Sequence, residues 1–112
     1  MDEVDELTQR IVAELNRELS ASEMAAVRAF ATQAIYLHDA RDLVARDGMT
    51  QFNEQTGMIA PHPAVAIVKS ASAELRGWLA ARPELFARAM PGSGDGSLAD
   101  ELAALRAART AG

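Results

Sequence analysis

The chain has 112 residues, a net charge of −5 and no cysteine, so we expect one domain without disulfides, Cys-ligated metals or thiol chemistry. Hydrophobic residues make up 49% of the sequence, but 24 of them are Ala, which buries little area. We therefore expect a thin core that is supplemented by association between copies. The acidic start, MDEVDELTQR, has no apolar run, and we expect a cytoplasmic protein without a secretory signal or membrane span.

Charge is distributed unevenly along the chain. Residues 1–23 carry seven acids and two Arg, whereas residues 63–90 carry four basic residues and two acids. Binding of nucleic acid depends on neutralising phosphates, and no long basic run is present, so an isolated copy should be a poor DNA ligand. A closed ring would repeat the positive segment around its axis and strengthen its field. The basic residues of this segment are Lys69, Arg76, Arg82 and Arg88.

Apolar residues at three- and four-residue spacing predict a first helix that ends near Leu19. Acidic residues crowd its first turn, where they complement the helix dipole. The apolar residues are Val4, Leu7, Ile11, Leu15 and Leu19.

A long second helix is predicted from Ala21 to Asp47, a stretch without Gly or Pro. Ser20 to Glu23 has the pattern of a capping box, and Gly48 is placed to end the helix in a left-handed conformation. Apolar residues occupy more than one stripe, which predicts that part of this helix contacts another subunit. The predicted oligomer interface combines Phe30, Tyr36 and Leu37 with Val68, Leu75 and Trp78 of the next helix.

A small β-hairpin is predicted between Gly48 and Pro63, with strand formers around the link from Glu54 to Gly57. Two prolines flanking His62 stiffen its exit, and Pro63 suits the first position of a helix. That helix should lie antiparallel to the long helix, and Gly77 suggests a close crossing or a kink. Its predicted apolar side comprises Ala64, Ile67, Val68, Ala71, Leu75, Trp78 and Leu79.

Beyond Pro83, a short helix is predicted from Glu84 to Met90, followed by a flexible linker at 91–97. Ser97 can cap a last helix whose apolar stripe would bind a partner protein. The predicted organisation is a helical oligomerisation core at 1–90, the linker, and a C-terminal tail at 98–112. The fold class is all-α, an antiparallel helical hairpin with an N-terminal helix, a small β-hairpin and a short C-terminal helix. The partner-binding residues are Leu98, Leu102 and Leu105.

No catalytic constellation is complete in the sequence. His38, Asp39 and Asp42 share a helix face, which suits an ion-paired surface His better than a metal or acid–base site. The Gly-rich stretch at 92–96 lacks both the strand of a dinucleotide site and the Lys of a phosphate loop. No Ser lies in a Gly-x-Ser-x-Gly turn. We therefore expect no enzyme activity, no cofactor and no metal.

The order of elements resembles the small subunit of bacteriophage terminases, in the short type with a Gly-containing hairpin and a His-Pro helix start. The resemblance covers roughly residues 22 to 82 and depends on Tyr36 in the long helix, Gly48, Gly57, and the segment from Pro61 to Ala64. The segment from Leu79 to Glu84 departs from the pattern, since a Leu-Gly-Leu turn stands there in the family.

The resemblance implies a non-enzymatic ring that recognises double-stranded viral DNA and delivers it to the large terminase subunit for packaging. Lys69, Arg76, Arg82 and Arg88 are the candidate DNA contacts. The alternative is a helical adaptor or antitoxin-like protein that binds a protein partner and no DNA, which the net acidity favours. Salt-dependent retention on DNA distinguishes the two.

Overall fold

A computed structural model describes residues 2–87 and 98–111, with side chains in the second range for 102–108. The chain is mostly helical and also has a small two-stranded antiparallel sheet. The helical fold class is thus confirmed in outline, and the all-α label is approximate. The described elements are α1 (Glu3–Leu15), α2 (Ala21–Asp47), β1 (Thr50–Asn53), β2 (Met58–Pro61), α3 (Pro63–Ala81), α4 (Pro83–Phe86) and α5 (Leu98–Ala111).

Helix α1 is shorter than its apolar pattern predicts. Asp2 caps its start by accepting a hydrogen bond from the Asp5 N–H at 2.8 Å. The helix ends at Leu15 because Asn16 adopts a left-handed conformation with φ of 53°, which Asn tolerates better than most residues. Leu19 lies beyond the helix and still packs against the core. The predicted end near Leu19 was therefore wrong, although Leu19 is part of the apolar cluster.

Helix α2 has the predicted bounds. The capping box is present: the Glu23 N–H donates to Ser20 Oγ at 3.2 Å, and the Ser20 N–H donates to the Glu23 carboxylate at 3.0 Å. At the other end, the Gly48 N–H donates to the Val44 carbonyl at 2.7 Å. Gly48 has a positive φ of 88°, but its ψ of 164° lies outside the left-handed helical region that was expected.

The predicted β-hairpin is confirmed, and its register pairs Phe52 with Ile59 and Asn53 with Met58. The Asn53 side chain accepts a hydrogen bond from the Gln55 N–H at 2.9 Å and so shapes the turn. Gly57 completes the turn with φ of 69°. Every residue of both strands is exposed, so the hairpin projects from the helices that it connects.

Helix α3 runs antiparallel to α2, because their contacts pair opposite ends of the two helices. Asp47 meets His62 at the hairpin end, and Glu23 meets Arg82 at the far end. The close crossing expected at Gly77 is absent from the described residues, since a Cβ at that position would meet nothing within 4 Å. Helix α4 is a single turn and ends at Phe86, before the predicted end at Met90.

The core lies where α1, α2, α3 and α4 meet. The rings of Phe30 and Phe86 stack with centroids 4.2 Å apart, and Trp78 meets Phe86 edge-on at 6.0 Å. Leu102 and Leu105 of α5 are also buried in this cluster. The linker predicted at 91–97 lies outside the described residues. Other core side chains include Leu7, Ile11, Val27, Ile35, Ala71, Leu75 and Leu85.

Candidate functional site

Two of the predicted DNA-contacting residues, Lys69 and Arg76, lie exposed on the outer side of α3. They are seven residues apart, two helical turns, and therefore share a face about 10 Å long. That face has no acidic side chain of α3, since Glu74 lies about 150° away from the two cations around the helix. Small exposed residues flank the two cations, so a flat surface could approach closely. They are Ala73 and Ala80.

Arg82 differs from Lys69 and Arg76 because acids of its own chain neutralise it. Its guanidinium lies 2.7 Å from the Glu84 carboxylate and 3.6 Å from that of Glu23. Hydrogen bonds from the Arg17 side chain, and then from the Ser20 backbone, lower the pKa of Glu23 to about 2. The Arg82 hydrogen bond likewise lowers the pKa of Glu84. Arg82 therefore joins α2 to α4 and offers little free charge to a ligand.

Most of the other arginines whose side chains the structure describes are also paired within the chain. Arg28 bonds to Asp5, and this hydrogen bond holds the pKa of Asp5 below its usual value. Arg46 lies 3.2 Å from the Asp47 carboxylate. Among the Lys and Arg residues whose side chains the structure describes, four have no ion pair; the side chains of Arg88 and Arg109 lie outside the described part. The four are Arg10, Arg41, Lys69 and Arg76.

Half of the predicted oligomer interface lies inside the subunit. Phe30, Leu37 and Leu75 are at most 4% exposed, so the chain itself already encloses them. A second copy could not reach these side chains in the folded subunit, and their assignment to an interface is corrected accordingly. Val68 and Trp78 are partly exposed, while Tyr36 is 54% exposed. The accessible remainder of the predicted interface is therefore centred on Tyr36.

Among the described residues, the most exposed large apolar side chains lie on or beside the hairpin, which the resemblance places in the assembly core but which contains none of the six residues predicted for the interface. Phe52 is 64% and Ile59 69% exposed, and Met49 and Met58 are similarly exposed. Phe52 and Ile59 face each other across the strands, and strand alternation places both on one face of the hairpin. Alternating apolar residues beside a turn mark a strand, but periodicity alone does not tell whether the chain covers them.

A shallow groove of about 400 Å³ runs between α2 and α3 on the side where Tyr36 is exposed. Ile67 lies at its edge and is 46% exposed, although its spacing predicts a place on the buried side of α3. The groove has no charged lining residue. It is lined by Gln33, Tyr36, Ala66, Ile67, Ser70 and Ala71.

The apolar side of the C-terminal helix α5 packs against the core of its own subunit. Leu102 and Leu105 are buried against the helical core, so they present no apolar face to a partner, contrary to the sequence interpretation. Arg106 holds α5 in place by bonding Glu3 at 2.8 Å and Asp39 at 2.7 Å, and these bonds raise its pKa. The Leu98 side chain lies outside the described residues.

The predicted contact between His38 and Asp42 is present, with His38 Nε2 3.3 Å from the Asp42 carboxylate. Together with Asp39, they offer three ligand atoms within 4.8 Å of one another. The Asp39 carboxylate, however, is already bonded to Arg106. These contacts explain the cluster as an ion-paired surface that links α2 to α5.

His62 is the polar residue that sequence reasoning underestimated. It is buried, its Nδ1 accepts a hydrogen bond from the Ala64 N–H at 3.0 Å, and its Nε2 lies 3.1 Å from the Asp47 carboxylate. This geometry requires a proton on Nε2 and none on Nδ1. The hydrogen bond from His62, and then that from Arg46, lowers the pKa of Asp47. His62 thus caps α3 and fastens the base of the hairpin to α2.

In the part of the chain that the structure describes, none of the helices is both long enough and apolar enough to cross a membrane.

Comparison of the chain with known protein families, with curated proteins and with solved structures gives no match.

Proposed function

We propose that this chain is a subunit of a homo-oligomeric ring that binds double-stranded DNA, as the small subunit of a phage terminase does. In this function it performs no chemistry, and delivers DNA to a large subunit that cuts and translocates it. The observation that carries the proposal is the hairpin at 50–61, whose strands are exposed along their whole length. An isolated two-stranded sheet is marginally stable in water, so this hairpin favours an assembly that covers it.

Contact with DNA is assigned to Lys69 and Arg76. Both are exposed, have no ion pair among the described residues and share the acid-free face of α3. Within the described residues, each copy contributes two such charges on this face, so a single subunit would bind DNA weakly. Repetition of the pair in a ring multiplies the number of phosphate contacts, while the acidic α1 lies apart from this face. DNA binding should therefore depend on assembly.

Retention on a duplex DNA column at 50 and 200 mM salt tests this function. Phosphate contacts lose affinity steeply as salt rises, and each contact contributes about −0.9 to the slope of log affinity against log salt. We expect the wild-type chain to bind at 50 mM and to be released at 200 mM. The Lys69→Gln/Arg76→Gln variant should fail to bind at either concentration.

The matched control is Arg10→Gln/Arg41→Gln, which removes the same amount of charge from two exposed arginines on other helices. It should bind nearly as wild type does, because its residues are not on the α3 face. Equal losses in the two double variants would show that only total charge matters and would contradict the assignment. Absence of wild-type binding at 50 mM salt would reject the DNA function altogether.

A second candidate is a helical adaptor that binds a protein and never contacts DNA. The pairing of Arg17, Arg28, Arg46, Arg82 and Arg106 with acids of the same chain favours it, since little free positive charge remains. The net charge of −5 points in the same direction. This candidate predicts no retention on DNA at any salt concentration, so the same column separates the two functions.

A further inference from the structure

We propose that the hairpin of one copy docks in the α2/α3 groove of a neighbouring copy, with the face bearing Phe52 and Ile59 against Tyr36 and Ile67. The inference deepens the proposed function and rests on its assembly part, but it does not depend on DNA. It identifies two different surfaces of one chain as the two sides of the contact.

The two surfaces match in polarity. The hairpin projects from the helices, and one of its faces presents Phe52 and Ile59 as direct cross-strand neighbours. The groove is shallow and open, and its lining is uncharged. Glu54, at the turn, is the only charged residue between Gly48 and Pro61. Docking would therefore remove apolar surface from water without burying an unpaired charge.

The area available matches what a specific contact needs. A large side chain has roughly 150–250 Å² of surface, so Phe52, Ile59, Tyr36 and Ile67 together expose on the order of 450 Å². The flanking residues of the hairpin and groove would form a more polar rim around this centre. A specific interface needs about 1,000 Å² in total, of which somewhat more than half is apolar. The four residues supply most of that apolar part.

The chain's own geometry argues for a second copy as the occupant. The hairpin leaves its own groove open: Tyr36 and Ile67 stay 54% and 46% exposed. A contact between two different patches leaves one hairpin and one groove free in every pair, so further copies can add until a ring closes. This arrangement provides the repeated subunits that the proposed function requires.

Sedimentation velocity of complementary variants tests the contact. Phe52→Glu/Ile59→Glu disables the hairpin face, and Tyr36→Glu/Ile67→Glu disables the groove. We expect wild type to sediment as an assembly at micromolar concentration, and each double variant as a single 12.0 kDa chain, with association weakened at least 100-fold. Mixed in equal amounts, the two variants should form a 1:1 pair and nothing larger, because one intact hairpin meets one intact groove.

Met58→Glu is the control, since Met58 is equally exposed but lies on the opposite face of the hairpin. It should assemble as wild type does. All four mutated contact residues are exposed, so the variants should fold as wild type does. Circular dichroism of each variant checks this. If a Glu double variant aggregates, milder polar variants take the place of both Glu double variants. They are Phe52→Ser/Ile59→Thr for the hairpin and Tyr36→Ser/Ile67→Thr for the groove, and each should also sediment as a single chain.

Three results would overturn the inference: a wild-type chain that stays single, a double variant that assembles as wild type does, or a mixture that forms no pair. Its failure is distinguishable from failure of the proposed function. Successful complementation without DNA retention leaves the contact standing and rejects DNA binding. An assembly that retains DNA in the hairpin variant keeps the function and rejects this contact.

Discussion

The helical core and the hairpin differ in how much of their apolar surface one copy of the chain buries. In the core, Phe30 and Phe86 stack and are fully buried, and helix α5 packs against α1 and α2. In the hairpin, Phe52 and Ile59 pair across the strands but remain mostly in water. The Ala-rich composition predicts that one copy leaves apolar surface uncovered, and this surface is not distributed evenly over the described residues. Among the described residues, the most exposed large apolar side chains lie at 49–59, and those of the helices, such as Tyr36 and Ile67, are less exposed.

Truncation of one Phe in each region tests this difference in burial with the largest expected effect. Phe86→Ala should lower the free energy of unfolding by about 3–5 kcal/mol, because it removes a buried ring that contacts Phe30 and Trp78. Phe52→Ala should change it by less than about 0.5 kcal/mol, as for other surface substitutions. Urea unfolding followed by Trp78 fluorescence, in solutions dilute enough for single chains, measures both values. Similar losses of unfolding free energy in the two variants would contradict the division into a buried helical core and an exposed hairpin.

The boundary between the regions depends on His62, and its two hydrogen bonds can be separated. His62→Ala removes both the cap of α3 and the contact with Asp47, and should cost about 1–2 kcal/mol. His62→Asn keeps an acceptor for the Ala64 N–H and should recover much of that loss. Urea unfolding again provides the measurement. If Asn is no better than Ala, the capping bond is not what His62 contributes.

The smallest predicted effect concerns Glu23, which joins α1 and α4 to the start of α2 through Arg17 and Arg82. Its pKa falls from 4.5 to about 2 on folding, so the unfolded chain binds the proton more readily. Its stabilising contribution is therefore complete above pH 4.5 and is lost as the pH falls towards 2. Glu23→Gln keeps the capping box but removes the charge.

Thermal unfolding at several pH values tests this prediction. The melting temperature of Glu23→Gln should lie slightly below that of wild type at neutral pH, and the gap should close as the pH falls to about 2. Glu54→Gln, at the exposed hairpin turn, removes the same charge and should show no gap at any pH. A gap for Glu23→Gln that widens in acid would have the wrong sign.

Local sequence signals predicted the elements well because caps and turns are determined by neighbouring residues. The capping box at Ser20, Gly48, the turn ending at Gly57 and the His62-Pro63 start gave the bounds of α2, the hairpin and the start of α3. The left-handed conformation of Asn16 was missed, because a single Asn inside an apolar pattern does not announce a helix end.

What the sequence did not predict was which apolar residues the chain itself would cover. Leu102 and Leu105 were assigned to a partner because their spacing marks a helix face without saying what covers it. Arg106 bonds Glu3, which is 103 residues away in the chain, and no local pattern encodes such a contact. The same limit applies to the candidate site, since Phe52 and Ile67 were recognised as strand and helix residues but not as exposed ones.

One copy leaves the hairpin uncovered, and we propose that identical copies cover it. Native mass spectrometry of the wild-type chain at micromolar concentration tests this claim most directly. If identical copies cover the hairpin, we expect a closed assembly with a mass that is a fixed multiple of 12.0 kDa. A folded chain that persists at 12.0 kDa across that concentration range would contradict it.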